Sequence, residues 1–398
     1  MRPAITRMAS GRDTLEAKIS ERIRRDGPIR FRDFMEIALY DAESGYYNTR
    51  RNKIGPAGDY YTSGNVHEAF GATLAVAFAG MWSHEYAEPL TILEFGAGTG
   101  QLAFDIISTM KLERPDIFVE LNYLILERST AMQESQRRLL EPVDQKVNWV
   151  PFEPASNADP FQGIVFSNEL IDAMPAHLAR IHEGRVQEGY VDLTATGATG
   201  ATGDSRLERS ISAAFAICWE EPSDRAIESY ISDLGVDLAE GQMLEVNLDA
   251  IAWLERVSRI LNRGFLVTID YGDIAAHLYG RDRFGGTLRS FSRHRIAESP
   301  LLKVGEQDIT SSVNFSALIE QGRQLGFEMV SYERQSSFLI RNGLLERAAG
   351  LCESGDNRPD TLSNRLAIKN LLVEGGSSDN FRVLVQRKGV VRRPTESS

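Results

Sequence analysis

Apolar residues recur along this chain at two spacings. Leu15, Ile19 and Ile23 repeat at helical intervals, with Asp13 placed to cap the helix and Glu16 three residues on, until Gly27-Pro28 ends the run. FRDFMEIALY sets Phe31, Phe34, Met35, Ala38 and Leu39 on one helical stripe, and VHEAFGATLAVAFAGMW reads as a mostly buried helix. Between them, DAESGYYNTRRNKIGPAGDYYTSGN reads as a loop.

Beyond residue 90 the pattern alternates. Runs at 91–95, 121–127, 147–150, 163–167, 243–247 and 265–270 predict strands, and 101–112, 129–140 and 249–261 predict helices. Strand–helix alternation on this scale predicts an α/β fold, a doubly wound, mainly parallel sheet with helices on both faces. FLVTID is apolar and β-branched throughout, as a strand buried on both faces should be. An insertion at about 176–240 separates the fourth and fifth strands. It opens with AHLARIHEGRVQEGYVDL, two short strands joined at Glu183-Gly184, and continues into the low-complexity TATGATGATGDS. A second irregular stretch, 272–314, is rich in Gly, Arg and Ser.

Composition narrows the functional classes. At 398 residues and 42% hydrophobic the chain can bury a large core, and its net charge of −12 disfavours non-specific binding to nucleic acid or anionic membrane. Cys218 and Cys352 form no C-x-x-C pair, which suits a reducing compartment. The histidines show no metal-ligand spacing, and no apolar run reaches the ~18 residues of a membrane span. MRPAITRMAS reads as the plain start of a bacterial cytoplasmic protein, with the stub of a mitochondrial presequence as the alternative.

The chemistry concentrates in TILEFGAGTGQLAFDII. A strand ends near Phe95, and Gly96, Gly98 and Gly100 let a ligand approach the backbone where the helix from Gln101 points its free N–H groups. The spacing is G-x-G-x-G, whereas dinucleotide enzymes place the third glycine one residue later, against a pyrophosphate. Glu94 stands two residues before the first glycine, where a carboxylate suits a cationic cofactor without phosphate. S-adenosyl-L-methionine, with its sulfonium and ammonium, fits. Glu127 ends the second strand, placed to accept both ribose hydroxyls, although its 31-residue distance from Gly96 exceeds the usual ~20. In FSNELIDAMPAHL three polar residues follow the fourth strand: Asn168, Glu169 and Asp172. They read equally as a helix N-terminus, with Asn168 capping, and as a face toward the transferred methyl group.

These segments together resemble the MidA-like methyltransferase family, which includes a mitochondrial arginine methyltransferase that assists assembly of respiratory complex I. The resemblance runs from about residue 15 to 390, through GPIRFRDFMEIALYDAESGYY, GDYYTSGNVHEAFG, LEFGAGTG, SNELIDAMP, VTIDYG, GTLRSF, VGEQDITSSVNF and FRVLVQRKG. It implies a class I methyltransferase fold and S-adenosyl-L-methionine as donor. It also implies that GDYYTS closes over the cofactor, which brings in Gly58, Asp59, Tyr60, Tyr61 and Thr62. Two stretches depart from the family pattern. Ser312 and Asn314 stand where a histidine and an aspartate are usual, and GNVHEAFG replaces a segment in which a proline–glutamate and a glutamine are common. The organisation expected is an N-terminal helical segment with a cofactor-covering loop over 1–88, a methyltransferase core over 89–175 and 241–390, and an inserted substrate or lid subdomain over 176–240.

The leading expectation is methyl transfer to a nitrogen on a protein, an arginine first. Much of the work is then alignment of the acceptor with the methyl–sulfur bond. Carboxylates to orient and polarise a guanidinium are available in Glu169, Asp172 and Asp270, the last at the end of the strand in IDYG. An acidic protein attracting a basic peptide agrees with this. A small-molecule or other protein acceptor, and a cofactor-binding assembly scaffold without catalysis, are the alternatives. A NAD oxidoreductase comes last because the glycine spacing is wrong.

Overall fold

The computed structural model describes residues 14–49, 67–86, 88–151, 160–194, 214–281, 283–292, 295–353, 368, 371 and 380–389. Its strands are β1 (Ile29–Arg30), β2 (Thr91–Phe95), β3 (Asn122–Leu126), β4 (Val147–Trp149), β5 (Phe161–Asn168), β6 (His177–His182), β7 (Arg185–Leu193) and β8 (Phe215–Glu220). They continue with β9 (Met243–Val246), β10 (Leu261–Asp273), β11 (Arg289–Ser292), β12 (Arg295–Ile296), β13 (Asp308–Thr310), β14 (Val313–Asn314), β15 (Phe327–Arg334) and β16 (Phe381–Lys388). The chain forms two compact units, one from Met1–Arg51, Ala173–Asp249 and Ala276–Ser311, the other from Asn52–Asp172, Ala250–Ala275 and Ser312–Ser398.

The second unit holds the large sheet, in the order β15-β16-β10-β5-β2-β3-β4, with β14 also paired to β10. Strands β4, β3, β2, β5 and β10 run parallel, and β16 is antiparallel to both β10 and β15. This is the α/β, class I methyltransferase arrangement expected. Residues two apart along each strand share a face. Ile92, Tyr123, Ile125, Ile164, Phe166, Val267 and Val385 therefore share one core with the helices Glu68–Glu85 and Gln101–Glu113, through Phe70, Phe78, Trp82, Ile106 and Ile107. On the opposite face Phe95 meets Trp253 of the helix Leu248–Ile260 edge to face, ring centroids 5.8 Å apart. Asn314 caps the helix Phe315–Gln324, its Oδ1 accepting from the Ala317 amide at 3.3 Å. Asparagine and aspartate cap about equally well, so this departure from the family pattern costs the helix little.

The first unit carries the antiparallel sheet β1-β7-β6-β9, with β8 on β7, and the small sheet β12-β11-β13. The expected hairpin turns at Glu183 (φ 49°) and Gly184 (φ 70°), joining β6 and β7. Phe34 of the helix Phe31–Tyr40 packs edge-on to Phe215 of β8. Within GTLRSF, the Thr287 and Leu288 amides and the Thr287 hydroxyl donate to the buried Glu245 carboxylate.

Three expectations change. The run 243–247 is no strand of the parallel sheet: β9 pairs antiparallel with β6. All four of its residues are buried, so it shows no alternation by which one sheet could be told from the other. The chain then enters the large sheet through Leu248–Ile260 and β10, and β15 and β16 complete that sheet beyond the last predicted strand. The first helix begins at Leu15 and is capped by Thr14, whose hydroxyl accepts from the Ala17 amide at 3.2 Å; Asp13 lies outside the described residues. Finally, NELIDAMP forms a turn and not a helix, which leaves Asn168 no helix to cap.

Candidate active site

The site lies at the carboxyl ends of β2, β3, β5 and β10, where an open parallel sheet presents its loops. After β2 the chain reverses through Gly96 (φ 70°), Gly98 (φ 53°) and Gly100 (φ 88°), all left-handed, a conformation costly for other residues. The Gly96 amide donates to the Leu126 carbonyl at 2.9 Å, which ties the turn to the end of β3. A Cβ on Gly96 would lie 2.8 Å from Leu170 Cδ1, so the glycine also admits the turn that follows β5.

Glu94 is buried in β2 and accepts a hydrogen bond from the Tyr123 hydroxyl at 2.8 Å. Burial pushes its carboxyl up to about 8, against the pull of Tyr123 and with the Glu127 charge adding to the rise. In the free protein at neutral pH Glu94 is therefore a neutral acid and not the carboxylate that the sequence suggests.

Glu127 follows β3 and is half-buried. Its Oε1 accepts from the Ser129 amide at 2.9 Å and its Oε2 from Gln136 Nε2 at 3.2 Å. Burial raises its carboxyl above the usual range, while these donors act in the opposite sense. The Gly98 and Arg128 backbone amides act on the same carboxyl, so a ligand hydroxyl would share these oxygens with the protein's own donors or displace one of them. Gln136 had no part in the sequence reading. It is a polar residue at an inward position of the helix Thr130–Leu139, a stripe legible from Met132 and Leu140, but its partners are remote in sequence.

The turn after β5 gathers the acids. Glu169 has φ 53°, and its amide donates to the Ile269 carbonyl at 2.9 Å. Asp270, fully buried, accepts from the Ile171 and Asp172 amides through Oδ2 at 2.9 and 3.3 Å, and from the Tyr271 amide through Oδ1 at 2.9 Å. Burial first, then the charges of Asp172 and Glu169, hold its carboxyl well above the usual range. The Asn168 amide donates to Glu169 Oε1 at 3.3 Å, and its own Oδ1 is buried without a hydrogen-bond partner, an acceptor free for a ligand. Gly58, Asp59, Tyr60, Tyr61 and Thr62 lie outside the described residues.

The donor set fits S-adenosyl-L-methionine. The glycine turn would allow a close backbone approach, Glu127 places a carboxyl beside it, and the unpartnered Asn168 oxygen offers an acceptor. A pyrophosphate would instead meet the Glu127 carboxyl, with repulsion where it ionises. Among the described residues no cluster of histidine, cysteine and acids could hold a metal ion, and no helix is long and apolar enough to cross a membrane.

Known proteins share this fold. The chain is 24% identical over 330 residues to the mitochondrial protein arginine methyltransferase NDUFAF7 homolog of Drosophila melanogaster, covering 78% of this chain and 70% of the relative. It is 23% identical over 384 residues to protein arginine methyltransferase NDUFAF7, mitochondrial, of Homo sapiens, covering 89% and 77%. A Burkholderia thailandensis protein crystallised with S-adenosyl-homocysteine superposes with a TM-score of 0.81 at 27% identity, over 95% of this chain and 92% of that one. A second crystal structure from that species gives 0.78 at 29%, over the same shares. The family model of S-adenosyl-L-methionine-dependent methyltransferases matches residues 73–332, across the glycine turn, Glu127 and the acidic turn alike. The chain belongs to this family and is an S-adenosyl-L-methionine-dependent methyltransferase of the MidA-like kind.

Proposed function

We propose that this methyltransferase modifies a guanidinium nitrogen of arginine in a protein, and that Glu169 and Asp172 handle the acceptor. The observation that carries the reading is the acidic turn after β5. Glu169 is held there by the bond from its amide to the Ile269 carbonyl and Asp172 by the bond from its amide to the buried Asp270, whose carboxyl feels both their charges. Bound S-adenosyl-L-methionine would supply an electrophilic methyl group on a sulfonium.

The chain's own residues bind, orient and polarise. Gly96, Gly98 and Gly100 admit the donor to the backbone, Glu127 takes its ribose hydroxyls, and Asn168 offers its free acceptor. Gly58, Asp59, Tyr60 and Thr62, together with Glu94, complete the proposed cofactor set. Glu169 and Asp172 orient a guanidinium by charge-assisted hydrogen bonds, which positions its poorly nucleophilic nitrogen. Asp270 acts from beneath, fixing the turn through the Ile171 and Asp172 amides. The relatives named as protein arginine methyltransferases support this acceptor, and so does the net charge of −12, which favours a basic peptide. The mitochondrial relatives support the mitochondrial alternative over a bacterial cytoplasmic setting, and the family resemblance suggests an assembly role on a respiratory complex.

The test is transfer of labelled methyl groups from S-adenosyl-L-methionine into extract protein, followed by hydrolysis and identification of the labelled amino acid. Methylarginine formed by the wild type and lost in Glu169→Gln is expected. Label in another residue, or in small molecules alone, would replace arginine as the acceptor.

A further inference from the structure

One buried side chain joins the carboxyl ends of three consecutive parallel strands. Gln136 is fully buried on the helix Thr130–Leu139. Its Nε2 donates to the Gly98 carbonyl at 2.9 Å and to Glu127 Oε2 at 3.2 Å. Its Oε1 accepts from the Trp149 indole N–H at 2.9 Å. Gly98 lies in the turn after β2, Glu127 follows β3 and Trp149 ends β4. Both amide hydrogens and one oxygen lone pair are thus used, which is what a primary amide must achieve to be buried without penalty.

The surroundings are shaped for this contact. A Cβ on Gly100 would come within 3.2 Å of Gln136 Cγ and 3.3 Å of its Cα, so glycine there lets the helix approach the turn. Ser129, the cap of the same helix, donates its amide to the other Glu127 oxygen at 2.9 Å. One helix therefore supplies a donor to each oxygen of the Glu127 carboxylate, and the Gly98 and Arg128 backbone amides act on the same group. The Arg137 guanidinium, next along the helix, lies over the Trp149 ring at 4.1 Å and braces the third arm.

We propose that Gln136 is a positioning residue for the methyl donor: it fixes the Glu127 carboxylate and the glycine turn in one geometry before the donor arrives. This rests on the reading of Glu127 as the ribose ligand. A glutamine is suited to the task where a hydrophobic residue of similar length is not. An apolar side chain would leave the Gly98 carbonyl, the Trp149 N–H and one Glu127 oxygen without this partner, and would remove one of the bonds that orient the carboxylate. A glutamate would keep an acceptor for Trp149 but set a second carboxyl against Glu127.

The experiment is calorimetric titration of S-adenosylhomocysteine and of its 2′-deoxy analogue into wild type, Gln136→Met, Gln136→Glu and Glu127→Ala, with melting temperatures on the same preparations. The two Gln136 variants are expected to bind S-adenosylhomocysteine about tenfold or more weakly, a loss of about 1.4 kcal/mol. The wild-type preference for the 2′-hydroxyl should shrink in both, an effect that lower stability alone does not produce. Gln136→Glu keeps the size of the side chain, so it carries the test if Gln136→Met fails to fold. Wild-type affinity and unchanged 2′-hydroxyl preference in a folded Gln136 variant, while Glu127→Ala loses both, would overturn the role of Gln136 alone. Unchanged binding in Glu127→Ala as well would overturn the ribose reading, and this proposal with it.

Discussion

The Tyr123 hydroxyl donates to Glu94 Oε2 at 2.8 Å inside the sheet core, against an acid that burial keeps protonated up to about pH 8. The folded protein thus holds a proton that the unfolded chain releases near the ordinary glutamate value. The stability linked to Glu94 is fully present below about pH 4.5 and is lost as pH rises through about 8. Glu94→Gln, neutral at every pH, should melt progressively higher than wild type between pH 5 and 9, by up to a few kcal/mol in stability. A constant gap in melting temperature over that range would mean that Glu94 is ionised in the fold.

If Glu94 takes part in binding a cationic donor, that donor must draw off the proton. Binding of S-adenosylhomocysteine, which keeps the ammonium, should then release a fraction of a proton per site at pH 7, up to one. Calorimetry in buffers of different ionisation enthalpy reads this directly. Enthalpies that do not depend on the buffer would remove Glu94 from the cofactor's field.

The helix Glu68–Glu85 offers a paired test of packing. A Cβ on Gly71 would lie 2.5 Å from Asp105 Cβ, an atom next to backbone in the helix Gln101–Glu113, whereas one on Gly80 meets nothing within 4 Å. Gly71→Ala should force the helices apart and cost roughly 1–3 kcal/mol. Gly80→Ala should stabilise by about 0.5–1 kcal/mol, because alanine restricts the unfolded chain and suits a helix. Denaturant melts of the two variants should therefore move in opposite directions.

How much of this is legible in sequence depends on how local the signal is. The helix of FRDFMEIALY and the strands of TILEF and NYLIL announce themselves by period and length, and the structure has them at Phe31–Tyr40, Thr91–Phe95 and Asn122–Leu126. The glycine turn is legible because three left-handed positions in five residues demand glycine. The partner of Met243–Val246 is not legible, since a short run buried at every position carries no face. Nor is the turn of NELIDAMP, which reads as a capped helix until Asp270, about a hundred residues later, is seen to take its amides. Gln136 fails for the same reason: a buried amide is explained only by partners 38 residues before it and 13 after it.

Asp270 should matter without touching the acceptor. Asp270→Asn puts an amide group among three donating backbone N–H groups, so at least one bond is lost or opposed. A destabilisation of roughly 1–3 kcal/mol is expected, with methyl transfer reduced and S-adenosylhomocysteine affinity little changed. Full activity at wild-type stability would show that the turn holds without this anchor.

Glu169 allows charge and conformation to be separated. Its φ of 53° is a left-handed position occupied by a residue with a Cβ, which costs roughly 1 kcal/mol or more and is sustained here by the bond from its amide to Ile269. Glu169→Gly should relieve the strain and hold or raise stability, offset in part by the freer unfolded chain. Glu169→Gln should leave stability near wild type, because the backbone and side-chain size are kept. If the carboxylate grips the acceptor, both variants lose turnover by about tenfold or more, some 1.4 kcal/mol of transition-state stabilisation, while donor affinity survives. A residue with only a structural role gives a different pattern, with Glu169→Gly at least as stable and turnover per folded molecule unchanged in both. Melting temperature, donor affinity and label incorporation on one set of preparations decide between them. A Glu169→Gln protein as active as wild type would take the acceptor role away from Glu169 and leave Asp172 as the remaining carboxylate of the turn to test.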